Sequence, residues 1–207
     1  MEFILLIILW CAWCVIHSAM ISLTVTNYLK NKLGGRFRFY RLFYNIIALI
    51  TLIPLLISGT EPTGQLLFRW AGFSLIFQFL LAITGLLLFL FGAIKYDMLQ
   101  LLGIRQIQSG KSYLSLSKTG DIDTSGVLSL TRHPWYLAAI LFIWIRYSDI
   151  YVSTLVVNII LTIYIGIGTI LEEQKLIIEH GDHYRTYREK VSMLFPFKWI
   201  VSKLFGQ

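Results

Sequence analysis

Five apolar runs dominate this chain: Phe3 to Leu23, Leu42 to Ser58, Phe68 to Ile94, His133 to Tyr147 and Ile150 to Leu171. Lipid offers no partner to an unsatisfied backbone N–H or C=O, so a helix needs about 20 mostly apolar residues to cross the hydrocarbon core. The runs predict an all-α, polytopic membrane protein of about five transmembrane helices. The last two form a C-terminal helical hairpin, followed by a cytoplasmic amphipathic segment. The fourth run is short for a crossing by itself and predicts a helix extended by its flanks or met by a thinned bilayer. Composition agrees, since 57% of the 207 residues are hydrophobic and only 14% charged, far from a typical soluble domain. The first run lacks a basic start and a small-residue cleavage site, so it reads as a retained span. The organisation expected is a single membrane domain over 1–207. It comprises an N-terminal three-helix part over 1–94, a cytoplasmic loop over 95–126, and a hairpin with its C-terminal segment over 127–207.

Basic residues set the orientation. Lys30, Lys32, Arg36, Arg38 and Arg41 lie between runs one and two, and Lys95, Arg105, Lys111, Lys118 and Arg132 between three and four. Lys175, Arg185, Arg188, Lys190, Lys198 and Lys203 follow run five, whereas the N-terminus and the segments around Glu61 and Asp149 are poor in them. The expected topology is therefore an integral membrane protein with its N-terminus outside and its C-terminus cytoplasmic. The net charge of +7 follows from the same rule, and such loops attract anionic lipid headgroups. No dense basic run or zinc-finger spacing accompanies it, so the sequence carries no nucleic-acid signal.

Cys11 and Cys14 sit three apart inside the first run, where a thiol behaves as a small hydrophobe. No Cys or His cluster completes a metal site. His17, followed by Ser18, places an imidazole near the expected cytoplasmic end of the first span. It is either bonded to a neighbouring helix or takes part directly in chemistry. Asn27, Asn45, Gln78 and Asn158 read as polar glue between helices, and Gly166 and Gly168 as positions that let helices approach closely. In the loop, the part containing Tyr96, Asp97 and Leu102-Gly103-Ile104-Arg105-Gln106 reads as an interfacial helix. Its Arg105 either points at a site or serves only as a basic residue of the inner loop. The later, Ser- and Gly-rich half reads as an exposed connection.

The chemistry concentrates at the two ends of the hairpin. Pro134 suits the first turn of a helix, which leaves Arg132 and His133 at its mouth and Tyr136 one turn inside. Free N–H groups and the positive dipole end there favour an anion such as a carboxylate. Glu172 and Glu173 close the last run. Two acids at a helix C-terminus would oppose the dipole, so the helix is expected to continue to Gly181. Neighbouring residues point about 100° apart, so one acid can face the bundle while the other faces solvent, and at least one is expected to meet a cation or a ribose. Asp182 then reads as the N-cap of a short helix whose His180, Tyr184, Tyr187 and Val191 form a stripe over the hairpin's mouth. Phe195, Pro196, Phe197 and Trp199 return to the membrane surface.

Arg132-His133-Pro134-x-Tyr136, Glu172-Glu173, Gly181, Tyr184, Tyr187, Val191 and Pro196 resemble the C-terminal core of the isoprenylcysteine carboxyl methyltransferase-like superfamily. His17-Ser18, Tyr40-Arg41, Tyr44-Asn45 and the Leu102-to-Gln106 stretch resemble its NnrU and methanethiol S-methyltransferase branch. The resemblance implies S-adenosylmethionine held at the cytoplasmic side by Arg132, His133, Pro134, Tyr136, Glu172, Glu173, Tyr184 and Tyr187, with no metal. It implies methyl transfer to a small lipophilic thiol such as methanethiol. A thiol needs deprotonation, for which His17, His133, Glu173 or a water are the candidates, with Arg105 as the candidate to stabilise a thiolate. A lipid-borne acceptor, either a prenylcysteine carboxylate or a phospholipid amine, is the alternative, as is an accessory protein without turnover. A sulfonium cofactor needs oxygens near its positive groups, donors for its carboxylate and an apolar slot for adenine, all of which the hairpin's residue types offer.

Overall fold

Helices account for nearly all of the structure, a computed structural model that describes residues 2–58, 63–109 and 122–206. In chain order they are α1 (Glu2–Ile21), α2 (Leu23–Leu33), α3 (Tyr40–Ser58), α4 (Ser74–Lys95), α5 (Met98–Leu102), α6 (Ile104–Ser109), α7 (Pro134–Ile145), α8 (Val152–His180), α9 (Asp182–Lys190) and α10 (Phe197–Phe205). A two-stranded antiparallel ribbon, β1 (Leu66–Arg69) with β2 (Asp149–Tyr151), is the only sheet among the described residues. Helices covering Phe3–Ile21, Leu23–Ile57, Ser74–Lys95 and Val152–His180 are long and apolar enough to cross a bilayer. The fold is that of an all-α polytopic membrane protein.

The third span begins at Ser74, and not at Phe68, because Leu66–Arg69 pairs as a strand with Asp149–Tyr151. A short apolar run does not distinguish strand from helix by periodicity, and Gly72 at φ 56° separates the two elements. The fourth helix, α7, has 12 residues and is about 18 Å long. No helical flank lengthens it, since the chain passes from Arg146 through Ser148 into β2. The fifth continues well past Leu171, to His180.

By its contacts the chain divides into two units. The first comprises Met1–Arg69, Met98–Tyr113 and Asp149–Tyr164. Trp10, Leu55 and Val157 form its buried core, lined by Leu6, Trp13 and Leu52. Ser22 ends α1 and starts α2 by accepting the Val25 N–H. The expected interfacial helix is broken in two at Gly103, whose φ is 88°, giving α5 and α6. Residues 110–121 of that loop lie outside the described residues.

The second unit comprises Trp70–Asp97, Leu114–Ser148 and Ile165–Gln207. In it α4 packs on α7 through small residues. A side chain at Gly85 would meet the Phe142 ring at 3.2 Å, and one at Gly92 would meet the Trp135 indole at 2.6 Å. Gly166 and Gly168 do not serve this purpose, since nothing lies within 4 Å of a Cβ built on either. Lys95 ends α4 and donates to Asp123 Oδ2 at 2.8 Å and to Ser125 Oγ at 2.6 Å. The Lys95 bond, helped by Ser125, holds the Asp123 carboxyl at about 2. This latch fixes the segment that leads into α7.

Candidate active site

The second unit gathers all eight of the expected cofactor-binding residues: Arg132, His133, Pro134, Tyr136, Glu172, Glu173, Tyr184 and Tyr187. Pro134 occupies the first turn of α7 and is fully buried. Just before it, Thr131 forms a parallel bridge with Ser192. The Arg132 N–H donates to Ser192 O at 3.0 Å and the His133 N–H to Met193 O at 3.2 Å. Backbone pairing with the segment after α9 thus fixes the start of α7.

Glu173 is the centre of the cluster, 4% exposed. Arg132 donates to its Oε1 from Nε at 2.6 Å and lies at 2.5 Å through Nη2. His133 Nε2 lies 3.3 Å from the same oxygen, and the Tyr184 hydroxyl donates to it at 3.2 Å. Arg188 Nε reaches the other oxygen, Oε2, at 3.2 Å. The remaining Arg132 nitrogen, Nη1, donates to Arg188 O at 3.1 Å and to Val191 O. Lys198 Nζ adds bonds to Arg188 O at 2.8 Å and Glu189 O at 2.7 Å. Cations therefore cap the carbonyl end of α9, as its dipole favours. Glu173 thus sets a carboxylate against the Arg132 and His133 side chains just before α7.

Glu172 is placed differently. It is half-buried and accepts the Tyr136 hydroxyl, while Tyr136 stacks on His133 with ring centres 5.5 Å apart. Among the described residues no cation pairs with Glu172. Adjacent acids on one helix thus have separate tasks, one closed inside an ion-pair network and one carrying an unmatched charge.

Tyr184, Tyr187 and Val191 of the predicted stripe bury themselves against Ile122, Leu176 and Ile177, whereas His180 ends α8, half-buried and outside that cluster. The Tyr187 hydroxyl donates to Leu128 O at 2.5 Å. Burial pushes both phenols up, joined at Tyr184 by the charge of Glu173, so both remain protonated donors. Asp182 is not the cap of α9. Gly181 takes that place at φ 58°, and Asp182 enters the first turn, bonded to Arg185 at 3.2 Å. Beside the cluster lies an open cleft of about 840 Å³, lined in part by Arg132, Arg185, Arg188 and Lys198.

His17 and Arg105 belong to the first unit. His17 stacks on Trp13 at 4.8 Å, and its Nε2 lies 2.5 Å from the Tyr44 hydroxyl. Tyr164 stands edge-on to the imidazole at 6.0 Å and accepts from Ser18 Oγ at 3.4 Å. Arg105 is exposed on α6. Arg188, Thr131, Trp13 and Tyr164 belong to the two clusters but were not singled out as site residues in the sequence. Arg188 is one turn beyond Tyr184 on the α9 stripe, a spacing that marks it as a neighbour of the same site; Thr131 and Tyr164 carry no comparable signal.

Among curated proteins, the chain is 32% identical over 127 residues to the methanethiol S-methyltransferase of Crocosphaera subtropica, covering 60% of this chain and 48% of that protein. It is 38% identical over 77 residues to the methanethiol S-methyltransferase of Pseudomonas deceptionensis, covering 37% of this chain and 29% of the relative. With methanethiol S-methyltransferase 1 of Bradyrhizobium diazoefficiens the identity is 42% over 67 residues, or 32% and 23% of the two chains. The matches span about half or less of the length of these relatives. No family model matches the chain, and no solved structure does. Over the matched part, this polytopic membrane protein is a homologue of curated methanethiol S-methyltransferases, in keeping with the isoprenylcysteine carboxyl methyltransferase-like branch that its Arg132-to-Pro196 pattern resembles.

Proposed function

We propose that the protein is an integral-membrane methyltransferase that moves a methyl group from S-adenosylmethionine to a small lipophilic thiol such as methanethiol. The observation that carries this reading is the division of labour between the two acids. Glu173 is closed off by Arg132, His133, Tyr184 and Arg188. Glu172 offers an unmatched carboxylate beside Tyr136. A half-buried carboxylate that no cation among the described residues pairs with fits a cationic ligand, because desolvated charge is costly unless paired. Arg188 and Arg185, at the rim of the cleft, fit a ligand's carboxylate.

In this reading the donor, when bound, supplies a methyl group activated for in-line displacement. The chain's own residues do the rest. His133 and Pro134 fix the mouth of α7, Tyr136 orients Glu172, and Tyr184 and Tyr187 hold α9 down as a cover that excludes water. Catalysis by positioning and water exclusion can supply much of the rate of such a transfer. A thiol must lose its proton to become the nucleophile. His17, held by Tyr44 and Trp13, is the base we propose, with Arg105 as the cation for the thiolate. Following the basic residues, we place the N-terminus outside and the C-terminus and site in the cytoplasm.

Calorimetry on the detergent-purified protein tests the reading. Glu172→Gln is expected to weaken S-adenosylmethionine binding by about tenfold, the equivalent of roughly 1.4 kcal/mol, while Glu179→Gln, which lies outside the cleft, leaves it unchanged. Equal binding by both variants would remove Glu172 from the site. His17→Ala is expected to lower the yield of methylated thiol most at neutral pH. The defect should narrow as pH rises toward the thiol's own pKa, where the nucleophile forms without a base. A defect constant with pH would exclude His17 as the base.

A further inference from the structure

α10 carries an apolar face that is left open among the described residues. At 100° per residue, Phe197, Ile200, Val201, Leu204 and Phe205 fall within an arc of roughly 140°, and Lys198, Ser202, Trp199 and Lys203 occupy the rest of the helix. No residue of α10 is buried, and Leu204 and Phe205 are 72% and 74% exposed. Lys198 ties the other side to the protein. Its Nζ donates to Arg188 O and Glu189 O, and its N–H donates to Ser192 Oγ at 3.0 Å. The apolar arc is thereby turned outward. α10 has nine residues, short of the about 12–15 below which an isolated helix is marginal in water, so it needs a surface against that arc. The contacts also set its level. Gly92, in the last turn of α4, lies against Pro134 and Trp135. His133 pairs with Met193, and Ser192 with Lys198. The start of α10 therefore stands at the end of the second unit where α4, a candidate span, leaves its apolar run at Lys95.

We propose that α10 lies in the headgroup layer of an anionic leaflet and, through Lys198, acts as a strap that holds the carbonyl end of α9 in place. An interfacial helix binds by burying such an apolar arc and by attraction of its cations to anionic lipid. Five cations against two acids follow Gly181, and α10 itself has two lysines and no acid. A second copy of the chain would cover the arc but bring the same cations with it, whereas an anionic leaflet supplies the counter-charge. The strap matters because of what α9 carries. Tyr184 and Arg188 both reach Glu173, and the segment after α9 pairs with Arg132 and His133. Lipid that seats α10 therefore also seats the elements around Glu173. This goes beyond a return of the chain to the membrane surface, and it does not depend on which reaction the site performs.

Hydrogen exchange read by mass spectrometry, on the full chain in nanodiscs that hold one copy each, tests the strap. In discs of phosphatidylcholine with phosphatidylglycerol, the amides of α10 and of residues 187–191 are expected to exchange slowly. Discs of phosphatidylcholine alone should speed exchange in α10 by about fivefold, the effect of one lysine near an anionic surface. Leu204→Glu combined with Phe205→Glu changes only exposed side chains, so the fold is kept. It should abolish the protection of α10 and loosen 187–191 with it. Lys198→Met should loosen 187–191 while α10 stays protected, because it cuts the bonds to Arg188 O and Glu189 O and leaves the apolar arc intact. Fast exchange of α10 in every disc overturns the proposal. Protection that appears only in discs holding two copies also overturns it, and assigns the arc to a second copy. Protection of 187–191 that survives both the glutamates and Lys198→Met overturns the strap.

Discussion

Replacing Glu173 with glutamine is expected to destabilise the folded protein by about 3–5 kcal/mol, the range for breaking a buried ion pair from one side. The loss comes from what remains. Arg132 is 8% exposed, and without Glu173 its guanidinium keeps only the carbonyls of Arg188 and Val191. His133, Tyr184 and Arg188 lose a shared acceptor in the same step. Denaturant unfolding in detergent, followed by tryptophan fluorescence, measures the effect. Combining Glu173→Gln with Arg132→Met should cost less than the two single changes added together, because the double variant strands no charge. Strict additivity would mean that the two side chains are independent, against their 2.5 Å separation. The experiment also separates fold from function: Glu173 variants should fail through stability, Glu172 variants through ligand affinity.

Gly103→Ala is the second change with a large expected effect, about 2–5 kcal/mol from backbone strain and overpacking together. At φ 88° a Cβ is strained whatever the space around it, and here it would lie 2.6 Å from the backbone nitrogen of Leu42 and 3.1 Å from Arg41 C. Backbone cannot swing aside as the end of a side chain can. The break at Gly103 lets the end of α5 lie against the start of α3, where Arg41 Nε and Asn45 Nδ2 both donate to Leu101 O at 3.2 Å and 2.9 Å. Gly166→Ala is the natural control. It is helical with open space around it, so it should be neutral or stabilising by up to about 1 kcal/mol. A thermal-shift comparison of the two variants in the same detergent decides the matter. Similar melting temperatures would show that the loop accommodates a side chain at Gly103.

How much of this was legible in the sequence depended on whether a residue's chemistry showed in one dimension. Polar groups are costly to place where apolar runs end, so Arg132, His133, Glu172 and Glu173 stood out, and Pro134 marked the start of α7. That Glu173 and not Glu172 is enclosed did not show: a 100° step says that neighbours face different ways, not which way the bundle lies. The ribbon was missed because Leu66–Arg69 continues an apolar run, and only its pairing with Asp149–Tyr151 makes it a strand. The Gly-x-Gly at 166 and 168 suggested close helix contact, which occurs instead at Gly85 and Gly92. Whether a glycine is crowded depends on a partner far away in sequence. Asn45 and Gln78 do act as polar glue, donating to Leu101 O and Ile145 O.

Arg132 lies 41 residues before Glu173 and 59 before Val191, two of the partners that hold it. At translation rates of about 5–20 residues per second, roughly 2–8 s pass between the synthesis of the arginine and that of its counter-ion. A naked guanidinium is costly in hydrocarbon, so during that interval Arg132 is expected to stay in water. The membrane spans are therefore laid down before the site exists. A nascent chain halted short of Ser192 would carry the four long apolar helices of the described residues and yet lack the backbone pairing that fixes the mouth of α7.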